Sequence, residues 1–171
     1  MTKLLLFVLA IFVLSIFLIV LIGAMLPRQH TATRSALVKA TPDQVFALIS
    51  GPQDWRTDLK NYSYFDESGR RMIRETDTHG QTITFEIVQS RPPMLLKRTI
   101  ADKSLPFGGS WTWQIQPKEA GSIVTITEDG EVYNPVFRFV SRFIMGHTRT
   151  LENYLAMLSS ALQNQKAQAA P

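Results

Sequence analysis

Two charged residues of the sequence stand in phase with apolar residues of predicted strands, which makes them the first candidates for chemistry. Alternate residues of a strand share a face, so Glu128 lies with Ile126, and Arg98 with Leu96, on the inner side of a sheet. Because a buried charge is costly unless it is paired, we expect Arg98 and Glu128 to meet. Such a pair is a structural ion pair, orients the polar end of a bound lipid, or acts as acid and base. The sequence leaves these three roles open, and a bulge in either strand would turn the residue to water instead.

The motifs of common enzyme and metal sites are missing from the sequence. Its three histidines, His30, His79 and His147, stand far apart and outside any H-E-x-x-H spacing. The absence of cysteine excludes a disulfide scaffold, a Cys-ligated zinc site, an iron–sulfur cluster and thiol catalysis. No G-x-S-x-G turn, lysine-containing phosphate loop or dinucleotide-binding glycine pattern is present. We therefore predict no metal, no cofactor and no assigned catalytic residue.

Aromatic and apolar strand residues supply the wall of a predicted cavity. Trp111 and Trp113 share one face, and their large apolar area suits either a cavity wall or ordinary core packing. Phe85 and Ile87 form a second apolar row on a neighbouring strand. The predicted ligand-binding residues are Phe85, Ile87, Arg98, Trp111, Trp113, Val124 and Glu128.

The elements that must position these residues follow from periodicity and from breaks in it. Thr41-Pro42 followed by Gln44 is typical of a helix start, with a cap, proline in the first turn and a capping box. A second, long helix is predicted from Asn134-Pro135 to about Gln163. Period-two patterns with short connections predict antiparallel strands. The predicted strands are 34–40, 62–65, 71–76, 82–89, 95–101, 110–116 and 122–132.

This order predicts an α+β fold in which a curved antiparallel sheet of six to seven strands wraps on the long C-terminal helix. The predicted domains are a membrane anchor over 1–26, a linker over 27–33, a ligand-binding domain over 34–164 and a flexible tail over 165–171. A length of 171 residues fits one domain with an appendage.

Residues 4–26 are uncharged and, apart from Ser15 and Gly23, apolar. As a helix they measure about 34 Å, enough to span the hydrocarbon core of a bilayer. An uncleaved membrane anchor is therefore predicted, and a cleaved signal peptide or a buried helix remains the alternative. The flanking positive charges are nearly balanced and favour neither side strongly; we place the soluble domain outside the cytoplasm. The linker spans at most about 23 Å, so the domain works close to the membrane.

Three arginines of the last predicted helix share one face. At 100° per residue, Arg138, Arg142 and Arg149 fall within about 40° of one another. Such a stripe suits anionic lipid headgroups, and a solvated outer face is the alternative. A nucleic-acid partner is not expected, because the net charge of +4 comes with no recognition motif or dense basic cluster.

Several segments together resemble a known family: the Ala40–Phe46 helix entry after the first strand, Trp55, Trp111-Thr112-Trp113, and Asn134–Arg138 before the last helix. They are similar to the START-related, polyketide cyclase/dehydrase-like (SRPBCC) superfamily with the helix-grip fold. The resemblance covers roughly residues 33–163, and it implies a hydrophobic ligand cavity between the sheet and the C-terminal helix. It carries no catalytic motif onto this sequence.

Three functions follow as hypotheses. The first is a membrane-anchored domain that binds or moves a hydrophobic small molecule, above all a lipid, without changing it. The second is a cyclase or dehydrase acting on a hydrophobic substrate, with Glu128 handling protons. The third is a membrane-tethered interaction module that has a filled core and no ligand.

Overall fold

A computed structural model describes residues 1–146 and 148–168, apart from the side chain of Met145. The chain forms four α-helices, one π-helical segment and seven strands within these residues. In chain order they are α1 (Thr2–Met25), β1 (Gln29–Val38), α2 (Pro42–Ser50), β2 (Leu59–Glu67), β3 (Arg70–Asp77), β4 (Thr82–Arg91), β5 (Leu95–Ile100), β6 (Phe107–Lys118), β7 (Gly121–Val132), α3 (Pro135–Val140), the π-helical segment (Ser141–Met145) and α4 (Arg149–Gln168).

The strands form one antiparallel sheet in the order β1-β7-β6-β5-β4-β3-β2. Helices α2 and α4 cover its inner face, and the core consists of buried residues from β1, α2, β5, β6, β7 and α4. The predicted helix-grip fold is thus confirmed. Helix α2 also begins where the sequence places it, because the Thr41 side chain accepts from the Gln44 backbone while the Gln44 side chain accepts from the Thr41 backbone.

The first strand starts at Gln29, well before the strand predicted from Arg34. Its early residues pair with the end of β7, with Gln29 opposite Glu131 and Thr33 opposite Thr127. The predicted linker over 27–33 is therefore wrong for most of its length. The sequence did not predict this part of β1 because its side chains are mostly polar. Polar side chains are expected there, since β1 is an edge strand with much of its surface in water.

The long C-terminal helix predicted from residue 134 is divided in two. Gly146 has a φ of 71°, a conformation that glycine adopts readily and that ends the π-helical segment before α4 begins. Helix α4 buries its apolar stripe against the sheet with Leu151, Tyr154, Leu155, Leu158 and Leu162. It continues to Gln168, so the predicted tail is helical over 165–168; residues 169–171 lie outside the described part.

Helix α1 is long and apolar enough to cross a membrane, with a mean hydropathy of 3.5 over its most apolar stretch. Only its C-terminal end contacts the domain: Gly23 is buried, and a Cβ there would collide with the carbonyl of Pro135. The Arg138 side chain donates from Nη1 to the carbonyl oxygens of Leu26 at 2.8 Å and Ala24 at 3.4 Å. The open carbonyls at the end of α1 thereby gain a cationic donor.

The three arginines do not form the predicted stripe, because the helix that was to carry them is divided at Gly146. Arg138 is buried against α1, and Arg149 belongs to α4, beyond the break at Gly146. Arg142 and Arg149 are exposed, and their contact with a membrane surface stays a prediction.

Candidate ligand-binding cavity

A cavity of about 500 Å³ lies between the inner face of the sheet, helix α4 and the segment that joins α3 to α4. Its wall is mostly apolar, with Ile83 and Phe85 from β4, Ile100 from β5, and Trp111 and Trp113 from β6. This volume and this character are typical of sites that enclose one drug-sized molecule.

Five of the seven predicted ligand-binding residues line the cavity, namely Phe85, Arg98, Trp111, Trp113 and Glu128. The strand phases that turned Arg98 and Glu128 inward are therefore right, and their contact with a ligand stays a prediction. Ile87 packs against the core, and Val124 is a fully buried part of it. The prediction for these two residues is wrong because α2 and α4 pack on that end of the inner face. An inward-facing side chain there lies in the core and not in the cavity.

The predicted pairing of Arg98 with Glu128 is wrong. In the sheet register Trp111 of β6 stands opposite both Arg98 of β5 and Glu128 of β7. The two charged residues therefore lie two strand spacings apart, about 10 Å between backbones, with an indole between them. Arg98 instead donates from Nη1 to Oε1 of Glu75 at 3.1 Å and from Nη2 to the carbonyl oxygen of Ile49 at 2.6 Å.

Glu75 is the centre of a buried ionic cluster at the inner end of the cavity. Its second oxygen, Oε2, accepts from Nη1 of Arg56 at 2.7 Å, and Arg56 also binds both carboxylate oxygens of Asp58 at 3.0 and 2.6 Å. Burial disfavours the charged form of Arg56, but the carboxylates of Asp58 and Glu75 outweigh it and raise the pKa of the guanidinium. Arg98 and Glu75 are 2% and 7% exposed, so this pair is held by its own contacts and not by water.

Sequence reasoning missed Glu75 and Arg56. Glu75 stands in phase with the buried Ile73 of the same strand, the signal that did identify Arg98. Arg56 lies in the irregular chain between α2 and β2, where no periodicity predicts the direction in which a side chain points.

Tyr154 of α4 packs over this cluster in an aromatic group. Its ring contacts those of Trp55, Trp111 and Trp113, with centroids 5.3, 5.8 and 5.6 Å away, and Arg56 lies over the same ring at 5.3 Å. Burial raises the pKa of the phenol, although the nearby guanidinium groups oppose this. The phenol is therefore neutral near pH 7.

Three buried polar atoms of this inner end lack a hydrogen-bond partner among the residues that the structure describes. They are the Tyr154 hydroxyl, Nε1 of Trp113 and Nε of Arg98. All three carry a proton to donate, and leaving such a group unpaired costs roughly 1–3 kcal/mol. Donors without a partner thus lie beside the inner end of the cavity, closely covered by neighbouring atoms.

A second polar group lies on the wall formed by β1 and β7. Nε2 of His30 is 3.3 Å from Oε1 of Glu128, and both side chains are largely buried. Burial lowers the pKa of His30, against the opposing effect of Asp129, so the imidazole is mainly neutral near pH 7. The His30 ring lies against Gly130, where a Cβ would collide with it. His30 was missed because it was assigned to the linker.

No group of three His, Asp or Glu side chains is arranged to hold a metal ion within 1–146 and 148–168. The polar side chains that line the cavity can hydrogen-bond, form ion pairs and transfer protons around a mainly apolar volume.

Comparison with known proteins agrees with this geometry. The family model "Polyketide cyclase / dehydrase and lipid transport" matches residues 29–162. A search of curated protein sequences gave no match.

Solved structures share the fold at low sequence identity. Norcoclaurine synthase from Thalictrum flavum, a point mutant bound to a transition-state analogue, is 14% identical with a TM-score of 0.62, over 81% of this chain and 96% of that one. A protein from Rhizobium leguminosarum is 16% identical with a TM-score of 0.62, over 80% and 95% of the two chains. The di-domain aromatase/cyclase StfQ of the steffimycin biosynthetic pathway is 10% identical with a TM-score of 0.61, over 81% and 52%. At these identities the likeness concerns the fold alone.

Proposed function

Because the chain belongs to the polyketide cyclase / dehydrase and lipid transport family, we propose that it binds or moves a hydrophobic small molecule, above all a lipid, while anchored in a membrane. The observation that carries the proposal is the cavity of about 500 Å³ with its apolar wall. A filled interaction module would not leave such a volume between its sheet and its C-terminal helix. The ligand is held without chemical change in this proposal.

The two polar groups of the cavity favour an amphipathic ligand. The donor-rich inner end beside Arg98 and Tyr154 suits an oxygen of the ligand, such as a carbonyl or carboxylate. The apolar side chains of β4, β5 and β6 then enclose its hydrocarbon part. Because these three donor atoms have almost no exposed surface, a ligand oxygen reaches them only after small side-chain shifts.

Membrane anchoring by α1 is the second part of the proposal. The apolar surface of α1 is exposed along almost its whole length, which a helix tolerates in hydrocarbon and not in water. Its C-terminal end is also fixed to α3 by Gly23 and Arg138. Cleavage as a signal sequence would remove these contacts, so migration of the cell-expressed chain at full length supports an anchor, and loss of the N-terminal segment contradicts it.

The experiment that tests ligand binding compares the wild type with a cavity variant and a control variant, all full-length, purified in the same nanodiscs, extracted with organic solvent and analysed by mass spectrometry. The cavity variant carries Ile83→Trp and Ile100→Trp, which narrow the cavity from two strands. Bulk bilayer lipid is common to all samples, so a compound that is stoichiometric in the wild type and depleted in the cavity variant is the cavity ligand. Val88→Trp on the exposed outer face of β4 is the control and should retain the compound. Identical extracts from all three proteins would contradict the proposal.

The contact of His30 with Glu128 favours a second candidate function, an enzyme of the cyclase or dehydrase type. A carboxylate and an imidazole at 3.3 Å on the wall of a mainly apolar cavity suit proton transfer to or from a bound substrate. General acid–base groups contribute roughly 10²- to 10⁴-fold in rate. This alternative and a carrier predict different compounds in the cavity.

Replacing Glu128 by Gln separates the two functions, because it keeps the shape of the side chain and removes its capacity to accept a proton. For a dehydrating enzyme we expect the Glu128→Gln protein to retain a substrate that is heavier by one water than the compound extracted from the wild type. For a carrier, the same compound is expected in both proteins. The matched control is Glu131→Gln, an exchange at another acidic residue of β7 that also borders the cavity.

A further inference from the structure

The segment that follows the sheet exposes large apolar side chains beside the end of α1. Val136 and Phe137 of α3 are 42% and 51% exposed, and Phe143 and Ile144 of the π-helical segment are 60% and 71% exposed. Their spacing, i, i+1, i+7 and i+8, is that of one side of a helical segment. Water-soluble surfaces rarely carry such a group without a partner. We call these four residues the α3 apolar surface.

Contacts with α1 fix the position of this surface. Arg138, which follows Phe137 by one residue, turns to the opposite side of α3 and donates to the carbonyl oxygens of Ala24 and Leu26. Pro135 lies against Gly23, where the absence of a side chain permits close approach. The α3 apolar surface therefore belongs to the segment that packs where the apolar run of α1 ends.

The same segment is a wall of the cavity. Phe137 of α3, Ser141 of the π-helical segment and Gly146 after it all line the cavity. A π-helical turn is uncommon and occurs frequently at functional sites. One short piece of chain thus separates the cavity from the exposed apolar side chains.

We propose that the α3 apolar surface is embedded in the boundary between headgroups and hydrocarbon of the bilayer that α1 spans, so that this wall of the cavity meets the membrane directly. The inference rests on the proposed membrane anchoring, because continuity with α1 identifies the bilayer as the partner. Arg142, exposed in the same segment, is suited to the phosphates of that interface. A ligand then passes between bilayer and cavity beside α3.

The absence of cysteine allows a direct test. Single cysteines at Phe143→Cys and Ile144→Cys, labelled with an environment-sensitive NBD fluorophore, are placed in the full chain. The proteins are reconstituted in vesicles of phosphatidylcholine and phosphatidylglycerol, with and without nitroxide-bearing lipids. We expect emission at shorter wavelength than in water, and a loss of emission when the nitroxide lies near the headgroups.

Two further positions make the outcome specific. Leu14→Cys, in the middle of α1, reports whether this helix spans the bilayer when the nitroxide lies deep in the acyl chains, because the middle of a spanning helix is about 15 Å from either headgroup layer. Lys118→Cys, at the far end of β6, lies about 36 Å along the strand from Phe107 at the cavity and should give a water-like, unquenched signal.

Each combination of results decides one claim. Quenching at residues 14, 143 and 144 but not at 118 supports the inference. Quenching at residue 14 alone overturns it and leaves the anchor in place; a second copy of the chain covering the surface would give this result, with blue-shifted but unquenched labels. Absence of quenching at residue 14 overturns the proposed anchor itself.

Discussion

Replacing Glu75 by Gln is expected to lower the free energy of unfolding by about 3–5 kcal/mol, the usual cost of removing one partner of a buried ion pair. Glu75 is the shared acceptor of two guanidinium groups, Arg56 at 2.7 Å and Arg98 at 3.1 Å. A neutral amide leaves Arg98 without a carboxylate partner, while Arg56 keeps Asp58. Arg98 is 2% exposed, so water cannot replace the lost partner. Urea unfolding of the full chain in micelles, followed by tryptophan fluorescence, measures the change.

The control for this prediction is Glu67→Gln, which has the same chemistry at the surface. Glu67 lies 3.6 Å from Arg70, with both side chains at least half exposed, and exposed pairs contribute less than about 1 kcal/mol. A second variant, Glu75→Gln with Arg98→Met, should recover part of the loss, because the unpaired buried charge of Arg98 is then removed together with its carboxylate partner. Equal stability of the Glu75 and Glu67 variants would show that water enters the cluster and compensates it.

The sheet and the helix entry at Thr41 were predictable because their signals are local. Alternation assigns strand faces, and a capping box specifies the first turn of a helix from adjacent residues. The positive φ of Gly146, which separates α3 from α4, has no comparable signal in the pattern of apolar residues. The break at Gly146 leaves Phe143 and Ile144 exposed, outside the buried apolar stripe of α4.

In the candidate site, too, some features have a local signal in the sequence and others depend on tertiary contacts. Strand phase identified Arg98 and Glu128 as inward residues, but the choice of partner depends on the order of strands and on the intervening Trp111. Glu75 reaches Arg98 across β4, and Arg56 comes from an irregular segment. Long-range pairing of this kind has no period along the chain, so it could not be derived from spacing.

The aromatic group suggests which tryptophan contacts the ligand and which supports the fold. Trp113 is 3% exposed and belongs to the core, while Trp111 is only partly buried and stands between Arg98 and Glu128. Trp113→Ala is therefore expected to cost about 3–5 kcal/mol of stability, as for a large core residue. That loss would reduce binding in any model of function, so Trp113 is a poor position at which to test the cavity.

Trp111→Ala is the informative variant. Its ring lines the cavity and contacts Trp113 and Tyr154 with centroids 5.7 and 5.8 Å away. Loss of its contact area with a ligand should weaken binding by about 10- to 100-fold, or roughly 1.4–2.8 kcal/mol. Native mass spectrometry of the full chain, titrated with palmitic acid as a single-chain amphipathic probe, counts the bound molecules.

Measuring both variants separates binding from folding. If the cavity is the binding site, Trp111→Ala lowers the affinity by more than the decrease in its folded fraction explains. Trp113→Ala mainly lowers the free energy of unfolding. Affinity that falls in both variants only as far as the folded fraction falls would place the tryptophans in the core and palmitic acid elsewhere. Wild-type affinity in a folded Trp111→Ala protein would exclude the β6 wall from the binding site, because a ligand that fills the cavity contacts this indole between β5 and β7.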